Sequence, residues 1–112
     1  MGKGKVDKGA IHNTTMPLLE ALYEEYSILS KKKPDATLST QKIKTVNRLL
    51  VSVRQVLDSE AVIEYLDLLD EDDVPQVSDV VISLSQYVAA MKSFKRTYYS
   101  NDVFGDDFYW HL

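Results

Sequence analysis

The sequence predicts an all-α protein: an antiparallel bundle of three to four helices with a flexible N-terminal segment and an aromatic-acidic C-terminal tail. Three observations carry this expectation. Apolar residues recur at spacings of three and four, no strand-like alternation competes with them, and no glycine interrupts residues 14–100. A chain of 112 residues holds one domain, and 45% apolar with 27% charged residues is ordinary globular composition. The expected divisions are a flexible basic lead-in over 1–13, a helical bundle over 14–100 and the tail over 101–112.

The lead-in holds three of the four glycines and three lysines, with little to bury. Thr14 or Thr15 then caps a first helix, with Pro17 in its first turn and Leu19, Leu22, Tyr26 and Leu29 on its apolar face. Lys31, Lys32 and Lys33 complement the negative end of its dipole, and Pro34 stops it.

Ser39 opens the second helix, with Leu38 placed to staple onto Ile43. Ile43, Val46, Leu50, Val53 and Leu57 form its buried stripe, joined by Leu49 and Val56. No acidic residue occurs in it before Asp58, so the outer surface, with Lys44 and Arg48, is basic.

After Leu57 the pattern slips by one residue. Val62, Ile63, Leu66 and Leu69 predict a third helix out of phase with the second, after a kink at Asp58 and Ser59. Five carboxylates, Asp67 and Asp70 to Asp73, oppose the dipole at its end. A capping box from Asp73 to Gln76, with Pro75 in the first turn, would set them at the favourable start of a fourth helix. That helix carries Val77, Val80, Leu84, Tyr87, Met91, Phe94 and Tyr98 on one face. The β-branched run Val80 to Ile82 argues locally for a strand, and the longer spacing outweighs it.

Chemistry is sparse. No cysteine is present, which excludes disulfides, thiol nucleophiles and thiolate metal sites. The two histidines, His12 and His111, fall in the predicted lead-in and tail, a poor platform for holding reacting groups. Phosphate-binding glycine loops, zinc-protease helices and serine elbows are absent. The acidic run Leu68 to Asp73 lacks the ligand alternation and turn glycine of an EF-hand. The expectation is a non-enzyme with no metal and no cofactor. No apolar run approaches the ~18 residues of a spanning helix, and no signal-peptide core or myristoylation motif is found, so a cytoplasmic protein without membrane attachment is expected.

Charge is partitioned unevenly. Residues 1–58 hold ten basic and six acidic groups, whereas residues 59–112 hold three and eleven. The overall charge of −4 disfavours nucleic acid as a general partner. Between Val80 and Met91 the fourth helix has no charge, and the face opposite its apolar stripe consists of Ile82, Gln86, Ala89 and Ser93. Such a helix is either central and covered, or part of an interface. In the tail, Phe104, Phe108, Tyr109 and Trp110 lie among aspartates, as anchors either for the bundle itself or for another protein.

These features predict a small noncatalytic protein–protein interaction module (an adaptor, inhibitor or accessory subunit) acting through Ile82, Gln86 and the tail aromatics on a protein partner or a second copy. The alternative is a nucleic-acid-associated accessory protein using Lys44 and Arg48.

Overall fold

Three helices form the frame in the computed structural model, which describes residues 7–101 and 107–112. They are α1 (Lys8–Lys32), α2 (Thr40–Leu57) and α3 (Val77–Tyr98). One 3-10 turn, Ala61–Tyr65, interrupts the segment between α2 and α3. Two short strands follow, β1 (Tyr99–Asn101) and β2 (Phe108–Trp110), paired antiparallel with Tyr99 opposite Trp110. The protein is thus predominantly helical, with one small sheet.

The first helix begins six residues before the expected cap, so residues 8–13 of the expected lead-in are helical. Asp7 is the N-cap, its carboxylate accepting from the Ala10 N–H at 2.9 Å. Pro17 therefore sits in the helix interior, where its ring leaves the Asn13 carbonyl without its usual partner. What holds the early turns is tertiary contact: Gly9, His12 and Thr15 are buried. The part of the lead-in before Asp7 lies outside the described residues.

α2 follows the sequence pattern closely. The Ser39 hydroxyl accepts from the Lys42 N–H at 3.2 Å, and Ile43, Val46, Leu50, Val53, Val56 and Leu57 enter the core with Leu38. From α1 they meet Leu19 and Tyr26, and from α3 Val77, Val80, Leu84, Tyr87, Met91 and Phe94.

Topology departs from an antiparallel succession. Lys8 on α1 pairs with Asp58 past the end of α2, and His12 bonds the Met91 carbonyl late in α3, so α1 runs antiparallel to both other helices. α2 and α3 are parallel to each other: Leu38 N–H donates to Pro75 at their starts, and Tyr98 donates to Glu60 at their ends. A strap over residues 58–76 makes the return.

That strap replaces the expected third helix. Only Ala61–Tyr65 coils, and Leu66 is already extended (φ −110°, ψ 118°). Leu66 and Leu69 drop into the core as single pegs, while Asp67 and Asp70 to Asp73 stay exposed. Carboxylates disfavour a helix end here, and Asp70 gives the backbone another option by accepting from the Asp72 and Asp73 N–H groups at 2.8 and 3.3 Å.

The expected Asp73–Gln76 capping box is also absent. Gln76 occupies the cap position without a side-chain bond. Instead the α1–α2 loop caps α3: the Ala36 carbonyl accepts from Val77 at 2.7 Å and the Pro34 carbonyl from Ser78 at 3.1 Å. Pro75 precedes the helix rather than entering its first turn.

Candidate interaction surface

The charge-free face of α3 is uncovered. Ile82 is 58% exposed, and Gln86, Ala89 and Ser93 are also exposed at spacings of four, three and four. The opposite stripe of α3 makes the core, so this helix is covered on one side only.

The strap turns the exposed face into a groove of about 560 Å³. Gln86, Ala89 and Ser93 form one wall, and Ala61, Val62 and Tyr65 form the other. Leu66, Ala90 and Phe94 lie between them. Small side chains on α3 allow another backbone to approach closely, and Tyr65, 75% exposed, gives the facing wall a large aromatic surface. Among the described residues Glu60 is the one charged residue lining the groove. Its carboxylate accepts from Tyr98 at 3.1 Å, an interaction that raises the tyrosine pKa above its ordinary value.

Gln86 therefore lies in the groove and Ile82 one turn beyond it. The tail aromatics are divided. Phe108 and Tyr109 are 63% and 46% exposed. Trp110 turns inward, its ring 4.9 Å from that of His12 and 5.7 Å from that of Phe94. Its indole rests on Gly9: a Cβ there would stand 2.5 Å from Trp110 Cδ1. Trp110 is thus a clasp within its own fold rather than a free anchor. Phe104 lies outside the described residues. Lys44 and Arg48 are exposed on α2, and neither lines the α3 groove.

Two features of the fold leave no trace in the residue spacing. Tyr65 follows Val62 by three residues and precedes Leu69 by four, so the helical spacing gives no sign that it stays exposed. His12, placed in a flexible lead-in, is 2% exposed. Its Nε2–H donates to the Met91 carbonyl at 2.8 Å, and burial lowers its pKa below 6.5.

The second histidine meets a hydroxyl. His111 Nε2 lies 2.8 Å from Ser100 Oγ on the exposed hairpin. Among the described residues no carboxylate is hydrogen-bonded to the other ring nitrogen; His111 borders an open cleft, and both members of the pair are exposed to water, which weakens their electrostatics. Among the described residues there is no cluster of three or more metal-ligating side chains, and no helix is long and apolar enough to cross a membrane.

Comparison of the chain with family models, with curated proteins and with solved structures finds no match to any of them.

Proposed function

We propose that this protein is a small noncatalytic interaction module whose binding surface is the groove between α3 and the 3-10 turn. One observation carries the reading: an exposed helix face without charge, formed by Ile82, Gln86, Ala89 and Ser93, opens into an apolar groove faced by an exposed tyrosine. Solvated helix faces normally carry charge, and aromatic side chains beside small ones form the buried centre of protein interfaces. The occupant is a protein segment that lays an apolar stripe along Ala89 and packs against Tyr65. Phe108 and Tyr109 remain available as auxiliary contacts at the hairpin.

Photocrosslinking tests this in the full chain. A benzophenone side chain at Gln86, introduced in cells of the native source, should yield a discrete protein adduct that Ala89→Glu removes. An adduct of doubled chain mass would identify the partner as a second copy. Equal, diffuse labelling from Gln86 and from an exposed control at Gln55 would overturn the proposal.

A further inference from the structure

A second groove lies between α1 and α2 and shares no lining residue with the first. We propose that it docks an acidic amphipathic helix from a protein partner. The cleft encloses about 470 Å³, and its apolar surface comes from Leu18, Leu22 and Leu49. Leu18 is 54% exposed although it borders other leucines.

Spacing fits a helical occupant. α1 contributes Leu18, Ala21 and Leu22, and the antiparallel α2 contributes Thr45, Leu49 and Ser52. Rows at intervals of three and four on two neighbouring helices form the ridges between which a third helix packs. Two of the three threonines that line the cleft do not oppose burial. Thr45 donates its hydroxyl to Gln41 at 3.0 Å and Thr15 to Ile11 at 2.7 Å, so each satisfies its hydroxyl hydrogen within its own helix.

Charge selects the kind of helix. Among the described residues Arg48 is the only charged one lining the cleft, and Lys44 stands one turn before it, exposed. α2 contains no carboxylate, and the nearest on this face of α1 is Glu25, a turn beyond Ala21. Among the described residues the one ion pair is Lys8–Asp58, which leaves Lys44 and Arg48 without a carboxylate within 4.0 Å. A partner helix with leucines along one stripe and Asp or Glu beside it satisfies both the floor and the rim. A nucleic-acid backbone would meet the two cations but set its phosphates against leucine, so the protein helix is favoured.

Selection from a display library of helical peptides of about 18 residues, using the immobilised full chain, tests the proposal. Enriched sequences should pair an apolar stripe with net negative flanks. Leu18→Ser should weaken the best peptide at least about tenfold and Arg48→Gln about threefold, with Ala89→Glu leaving it unchanged. Both substituted positions are exposed, and circular dichroism verifies folding. Absence of enrichment, enrichment of basic peptides, or binding indifferent to Leu18→Ser and Arg48→Gln would overturn it. Displacement of the peptide by a short RNA or DNA duplex at the same face would assign the cations to nucleic acid instead.

Discussion

The strap between α2 and α3 and the strand pair after α3 both lie outside the three α-helices and are fastened to the helical frame, yet different side-chain contacts hold them. The strap is gripped by side chains that bond its backbone. Asn47, buried in α2, accepts from the Leu69 N–H and donates to the Leu69 carbonyl, each at 2.8 Å. Arg54 donates to the Leu66 carbonyl, and Tyr87 donates to the Asp67 carbonyl at 2.9 Å. β2 pairs with β1, the next N–H, that of His111, donates to the Tyr98 carbonyl at 2.6 Å, and Trp110 fastens the pair to the helices by packing its ring against His12 and Phe94, over Gly9. Directional bonds fix which strap residues enter the core, whereas the hairpin depends on the space available for one indole. The strap therefore fails by losing a partner and the hairpin by gaining an atom.

Asn47→Ala should be the most damaging change on the strap side. It leaves a buried N–H and a buried carbonyl without partners, a cost of about 3 kcal/mol by chemical denaturation. Protease cleavage within the strap should rise while native Trp110 emission stays unchanged. Equal stability in the variant would show that water replaces the amide without loss.

Gly9→Ala applies the reverse perturbation. The added methyl collides with the indole, and overpacking of this kind costs ~2 kcal/mol. Because the chain has one tryptophan, a red-shifted emission spectrum reads the release directly. Strap proteolysis should not change. A native spectrum in this variant would mean that the indole can move aside without leaving.

Tyr87→Phe removes the hydroxyl that donates to the Asp67 carbonyl and accepts from Arg54 at 3.3 Å, and should cost about 1 kcal/mol. The mild loss, measured beside Asn47→Ala, separates one bond to the strap from a pair at a buried site.

The gentlest perturbation changes no residue. The unfolded chain binds a proton at His12 near 6.5, while burial holds the folded pKa lower; the Met91 bond and Glu20 partly counter this, and Lys95 adds to it. Its full contribution to stability is present above 6.5 and declines as the pH falls from 6.5 toward the folded value. Trp110 emission should shift in that window and not in His12→Gln. An identical titration in the variant would assign the transition to another group.

The contrast also explains what could be read from the residues alone. α2 and the buried stripe of α3 were legible because one periodicity decides both helix and burial, and the exposed side of α3 was legible as a face lacking charge. The strap was not, because a side-chain amide bonding a backbone 22 residues away leaves no periodic trace. The start of α1 was obscured by Gly9 and Pro17, each unfavourable to a helix by itself. Gly9 is there for the indole, and that reason lies at the far end of the chain. Tyr65 became a groove wall only once the strap had closed.

Folding order is set by how far apart these fasteners lie. Asn47 and Leu69 close a loop of 22 residues, while Gly9 and Trp110 must bring together positions roughly a hundred apart, an entropic difference of about 1.3 kcal/mol in a flexible chain. Contacts of such long separation reward the chain only after the helices are assembled. The single tryptophan should therefore report a late event of folding, its fluorescence trailing helix formation on the way in and leading helix loss on the way out; coincident changes would show one cooperative step instead.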